Sequence, residues 1–180
     1  MCCVVLRAVV DSVEYEVERS DKPLEIRRYP SMVLATVYGR SDNDAFSILF
    51  DYISGNNTPR RKIPMTAPVI SSEKIAMTVP VISDGRSFSF VMPSGQDADT
   101  IPEPRDTRVK LEAFPARRMA VVRFRGRARE KAVRERTSEL ISYVGGLGLK
   151  AKGEPSLMRY NPPFMPGFLR RNELAVEVAQ

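Results

Sequence analysis

Ile26-Arg27-Arg28-Tyr29-Pro30, followed by Met32-Val33-Leu34-Ala35-Thr36-Val37-Tyr38-Gly39, has a counterpart in Leu111-Glu112-Ala113-Phe114-Pro115, followed by Met119-Ala120-Val121-Val122-Arg123-Phe124-Arg125-Gly126. Each passage sets an aromatic-proline corner before a β-rich strand that ends in glycine. A helix-forming stretch comes next, and Ala45 and Ala132 each lie six residues beyond that glycine. Identity between the two is slight but the order is the same, so the pair reads as an internal duplication of a strand–helix unit. Two β-rich halves, 13–93 and 108–178, each covered by one helix, imply an α+β architecture with mostly antiparallel sheet, in one domain over 1–180.

The helices are the clearest local features. Ser41-Asp42-Asn43-Asp44 is a cluster of N-capping residues, with a serine and an acid three apart. Phe46, Leu49, Phe50 and Ile53 then follow the i, i+3, i+4, i+7 spacing of one helical face, and Gly55 supplies a stop. A second helix is expected from Arg129, with Val133, Thr137, Leu140, Ile141 and Val144 on one side and the pair Gly145-Gly146 at its end. Between the helices, 62–70, 74–82 and 88–92 read as proline-punctuated strands, with a turn at Asp84-Gly85. The Asp-, Pro-, Gly- and Thr-rich stretch 94–108 reads as the connection between halves. Near the end, Leu157 to Tyr160 reads as a strand, and Leu174, Val176 and Val178 alternate along a last one.

Composition narrows the chemistry. No histidine occurs among the 180 residues, which excludes a serine–histidine–acid triad, a histidine metal site and a histidine haem ligand. The two cysteines, Cys2 and Cys3, are adjacent, so zinc fingers and a disulfide framework are excluded as well. Twenty-eight basic against 22 acidic residues leave a formal charge of +6, which favours an anionic partner: nucleic acid, an acidic membrane surface or a carboxylated small molecule. Nine of the basic residues lie between Arg117 and Arg136, yet no RNA-binding aromatic motif, zinc spacing or helix-turn-helix pattern accompanies them. Arg123, Arg125 and Arg127 alternate with Val122 and Phe124, as on a strand with one wet face. The apolar start from Met1 to Val10 is too short to cross a bilayer and lacks a basic leader, so a cytoplasmic location is expected.

One short repeat carries a sharper signal. Lys62-Ile63-Pro64-Met65-Thr66-Ala67-Pro68-Val69-Ile70 returns twelve residues later as Lys74-Ile75-Ala76-Met77-Thr78-Val79-Pro80-Val81-Ile82. Strand alternation puts Ile63 and Met65, and again Ile75 and Met77, on one face, with a lysine at the mouth of each. Methionines ordinarily fill cores, but a lysine repeated in the same register beside an apolar face also suits a flat hydrophobic ligand with anionic edges. Arg60 and Arg61 precede the motif, and Arg170-Arg171 offer either further cations or a structural pairing with Glu173.

This doubled motif, together with Tyr160-Asn161-Pro162-Pro163 through Phe168-Leu169-Arg170-Arg171-Asn172-Glu173-Leu174, resembles the SOUL haem-binding family over most of the chain. Tyr15-Glu16-Val17 and Glu25 to Tyr29 fit it too. The resemblance implies a distorted, mostly antiparallel β-barrel of about eight strands, built from two pseudo-symmetric halves with two flanking helices. It implies further that haem or another tetrapyrrole binds non-covalently in an apolar cleft near the first helix. The expected site combines Ile63, Met65, Ile75 and Met77 with the cations Arg60, Arg61, Lys62 and Lys74, and with Phe164, Met165, Arg170 and Arg171 of the C-terminal motif. Some members have a lysine where this chain has Met165, before Pro166. Ligation of iron by histidine does not carry over; Met65, Met77 or a phenol of Tyr29, Tyr38, Tyr52 or Tyr160 are the alternatives. The expected role is buffering, transport or delivery without catalysis. An enzyme acting on a bound tetrapyrrole and a sensor of amphipathic ligands are the competing readings.

Overall fold

The computed structural model describes residues 11–60, 72–95, 99–162 and 165–179. In chain order the elements are β1 (Asp11–Ser12), β2 (Glu16–Asp21), β3 (Leu24–Tyr29), β4 (Met32–Tyr38), α1 (Asp42–Ser54), β5 (Asn57–Thr58), β6 (Thr78–Ser83), β7 (Ser87–Val91), β8 (Glu103–Pro104), β9 (Lys110–Phe114), β10 (Arg117–Arg125), α2 (Glu130–Gly146), β11 (Lys150–Arg159) and β12 (Arg171–Ala179). α1 begins as its sequence predicts. The Ser41 side chain accepts from the Asp44 backbone N–H, and Gly55 closes the helix at φ +128°, a conformation open to glycine and costly for other residues.

One large sheet runs in the order β2-β3-β10-β12-β11-β6-β7-β4-β9, antiparallel throughout, with β1 added in parallel beside β6. The expected barrel is not formed. β2 and β9 stand at opposite ends of the strand path and do not pair, so the sheet is open. Every residue of β2 is exposed and four are charged, which blunts the edge against further pairing. With β2 set aside, the order maps onto itself when reversed: β3 exchanges with β9, β10 with β4, β12 with β7 and β11 with β6. The centre of this exchange lies between β11 and β6, where Met158 sits opposite Ile82.

Strand alternation sorts the core into two faces. Val33, Ala35 and Val37 of β4 and Phe88 and Phe90 of β7 pack under α1. Ala120, Val122 and Phe124 of β10 and Leu174, Val176 and Val178 of β12 pack under α2. Both helices therefore cover the same face. Tyr29, Met119, Val121, Met158 and Ala175 form a third cluster on the helix-free face, joined by Val13, Tyr15, Met32, Ile82 and Tyr160. The stretch 94–108 is more than a connection: β8 pairs with β5, and Ile101 is buried in the α1 core.

Candidate functional site

The second copy of the doubled motif lies against the C-terminal end of α1. Its strand starts later than its apolar pattern suggests, at Thr78, because the chain before it bonds to the helix end instead of the sheet. The Ile75 N–H donates to the Ile53 carbonyl at 2.8 Å. Asn57, buried just beyond the helix, donates its Nδ2 to the carbonyls of Tyr52 (2.9 Å) and Glu73 (2.7 Å) and accepts from the Glu73 N–H (2.9 Å). A Cβ built on Gly55 would stand 3.3 Å from the Ser72 hydroxyl, so glycine also permits the close approach of this segment.

Ile75 is buried in the α1 core, and Met77 is half-buried against the same cluster. Lys74 and Ala76, between and beside them, are exposed, which is the alternation expected of the motif. Thr78 follows with its hydroxyl buried and without a hydrogen-bond partner, the one such side-chain atom among the described residues. A buried orphan of this kind calls for water or a ligand group. On α1 itself, Phe46 is half-buried against the core and stacks on Phe50 with ring centroids 5.9 Å apart, while Phe50 remains 48% exposed. Arg60, beyond β5, is exposed.

The C-terminal cations are occupied differently. Arg171 binds Glu173 through Nη2 at 2.7 Å and covers the Tyr160 ring, 4.1 Å from its centroid. This is the structural pairing that the sequence offered as one of two readings. Arg170 donates its Nε to the carbonyl of Met165 at 2.8 Å, and both residues are half-buried. Arg61, Lys62, Ile63, Met65 and Phe164 lie outside the described residues.

Glu173 centres a polar cluster on the helix-free face that the sequence reading left unassembled. Fully buried, its carboxylate receives Arg27 Nη1 at 2.7 Å, Arg123 Nε at 3.0 Å and the Tyr160 hydroxyl at 2.8 Å, besides Arg171. Arg27, equally buried, also donates to Glu25 and to the Tyr29 hydroxyl, and lies over the Tyr15 ring. Burial opposes ionisation of Glu173, but the arginine hydrogen bonds and charges prevail and hold its pKa down to about 2. Burial raises the phenol pKa values of Tyr29, Tyr52 and Tyr160, and a hydrogen bond to Glu112 pushes Tyr38 up to about 12. Each of these four tyrosines thus favours the protonated phenol.

Two hollows lie away from α1, and neither suits a large flat ligand. Next to the Glu173 cluster, a cavity walled by Tyr29, Met32, Ile82, Phe114, Met119 and Met158, among others, holds only about 10 Å³ of free space. A depression of about 730 Å³ beside β2 is lined by the charged side chains of Glu16, Glu18, Arg28 and Arg118. Glu18 is ion-paired to both arginines there.

Comparison with known proteins decides the family. The model of the SOUL heme-binding protein family matches residues 10–177, nearly the full length. The chain belongs to the SOUL family. Comparison with curated proteins gives no match. Among solved structures, a hydrolase from Listeria innocua superposes with a TM-score of 0.56 at 16% identity, covering 87% of this chain and 91% of the other. The EcmrR C-terminal domain superposes with a TM-score of 0.52 at 10% identity, covering 92% and 98%. At such identities the likeness is one of fold. As a SOUL-family chain without histidine, this protein has no imidazole to offer the metal of a tetrapyrrole. The sequence reading missed Phe50 as a surface group, having counted it in the buried stripe. The missed signal was that Ala45, Ile48, Leu49 and Tyr52 keep the same helical spacing one residue earlier, and this stripe is the one that is buried.

Proposed function

We propose that this SOUL-family chain binds haem or a related tetrapyrrole non-covalently, without histidine ligation, at the outer edge of α1 beside the 72–77 segment. Its role on this reading is cytoplasmic buffering, transport or delivery. The observation that carries the reading is the Phe46–Phe50 stack: an aromatic surface left half-exposed on a helix whose buried side is already filled. Met77 adjoins the same core, and Lys74 supplies a cation for a carboxylate edge. These groups fit an amphipathic macrocycle. When bound, haem would bring its own redox chemistry; the chain contributes stacking surface and charge. Burying one macrocycle face removes about 400 Å² of apolar surface, or about 10 kcal/mol gross. Association and ordering costs subtract several kcal/mol, which leaves an affinity of roughly micromolar order.

Titration with haemin, followed by the Soret band and by quenching of tyrosine emission, tests this. Phe50→Glu should weaken binding about tenfold or more, since a buried aromatic contributes about 1.5–3 kcal/mol. Its circular dichroism should match the wild type because the side chain is half-exposed. Metal-free porphyrin should bind about as well as haemin. Equal haemin affinity in Phe50→Glu and wild type would remove the α1 edge from consideration. Turnover of the macrocycle or iron release, with reductant and oxygen supplied, would replace a binder with an enzyme.

A further inference from the structure

We infer that the turn Gly167–Leu169, with the arginines beside it, is a docking tip for an anionic lipid bilayer. The turn is a single 3-10 element just before β12. It carries Phe168, 74% exposed and the most exposed large apolar side chain among the described residues, and Leu169, 49% exposed. Two adjacent large apolar side chains on a turn have no core to serve.

The tip is fixed in place. The Leu169 and Arg170 N–H groups close on the carbonyls of Pro166 and Gly167, at 3.0 and 3.2 Å. The Gly126 N–H at the end of β10 donates to the Arg170 carbonyl at 3.0 Å, and Asn172 Nδ2 returns a bond to the Gly126 carbonyl at 2.8 Å. Arg127 lies flat on the turn, so close that a Cβ on Gly167 would stand 2.7 Å from its Cγ. Its side chain from Cγ to Nε thus lies over the turn while the residue as a whole stays exposed, and a long arginine side chain of this kind can serve an interface between oil and water.

Charge selects the partner. Arg125 and Arg129 flank Arg127 along the chain, and all three are exposed with no ion pair or side-chain hydrogen bond among the described residues. Glu130, the nearest acid in sequence, is taken by Arg134 at 2.8 Å. A convex apolar tip beside uncompensated cations matches a bilayer surface with negative headgroups, where the rings enter the acyl boundary and the guanidinium groups stay with phosphates. A nucleic-acid backbone would use the arginines but leave Phe168 and Leu169 without a role. No helix among the described residues is long and apolar enough to cross a membrane, so the tip would hold the chain at the surface.

Co-flotation with vesicles tests this. The wild type should float with equal parts phosphatidylcholine and phosphatidylserine, not with phosphatidylcholine alone, and should release at about 1 M salt, where the Debye length falls to about 3 Å. Phe168→Ser/Leu169→Ser should abolish flotation while circular dichroism stays unchanged. Replacing Arg125, Arg127 and Arg129 by glutamine should weaken it about fivefold per residue, the equivalent of about 1 kcal/mol each. The inference is overturned if the wild type ignores lipid charge or fails to float, or if the folded Phe168→Ser/Leu169→Ser variant floats like wild type.

Discussion

The two halves share a strand order but not a surface. In the second half the chain passes from α2 to β11 through residues 147–149; in the first it takes residues 55–77 to pass from α1 to β6. That longer path holds the first copy of the doubled motif and the start of the second. The helix-free face diverges as well. Met158 and Ile82 pair across the centre of the exchange, so their register neighbours correspond: Glu173 to Ser89, and Arg123 to Thr36. One half thus has a buried carboxylate held by arginines where the other has two hydroxyls 2.9 Å apart. A duplicated frame keeps its backbone pairing, while each copy is free to change what its loops and one sheet face carry.

The sharpest break in this correspondence should come from the paired sites. Glu173→Gln removes the charge that Arg27 faces at zero exposure, and losing one member of a buried pair costs about 3–5 kcal/mol. Ser89→Ala, at the matching position, should cost about 1 kcal/mol, since Thr36 loses one neutral hydrogen bond. Urea unfolding with unchanged slope would measure both. Comparable losses would mean that the arginine cluster carries no special weight.

Acid should expose the same asymmetry. The carboxyl of Glu173 is held at about 2 in the folded chain against an ordinary 4.5, so folding favours its ionised form. That contribution is complete above pH 4.5 and is lost as pH falls toward 2. The wild type should therefore lose stability more steeply than Glu173→Gln over this interval, the two curves converging at its lower end. Parallel curves would show that Glu173 does not drive the acid response.

A smaller effect tests the long connection. Asn57→Ala removes the side-chain bonds to both Glu73 backbone groups and one of the two bonds to the Tyr52 carbonyl, which keeps the Gly55 N–H, at a cost of about 2 kcal/mol. It also frees the segment that brings Ile75 and Met77 to α1, so haemin affinity should fall with stability. Stability loss with unaltered haemin binding would separate the anchor from the ligand.

What could be read in the sequence was whatever depends on near neighbours. The Ser41 cap, the glycine at 55, the alternation of Leu174, Val176 and Val178, and the paired aromatic-proline corners are all local, and each holds in the fold. The α1 stripe held for Leu49 and Ile53 but not for Phe50, because two stripes one residue apart share the same spacing, and only the sheet beneath chooses between them. Glu173 was legible only in its Arg171 pairing, two residues away. Arg27 lies 146 residues from it, and Arg123 lies 50. The openness of the sheet depends on β2 and β9, whose failure to meet is a property of the whole strand path.

The helix caps offer the mildest contrast between the halves. Ser41 caps α1 through its side chain, whereas Arg129 occupies the same place on α2 with no side-chain bond to the helix. Ser41→Ala should destabilise by about 1 kcal/mol, and Arg129→Ser should stabilise by up to a similar amount. Replacing Arg129 also removes a cation from the positive end of the helix dipole, which acts in the same direction. The gain should show as a higher urea midpoint with the slope unchanged. It should be accompanied by weaker flotation on anionic vesicles, because Arg129 is one of the three cations at the docking tip. A stabilised variant that floats as well as wild type would place Arg129 outside the membrane contact and narrow the tip to Arg125 and Arg127.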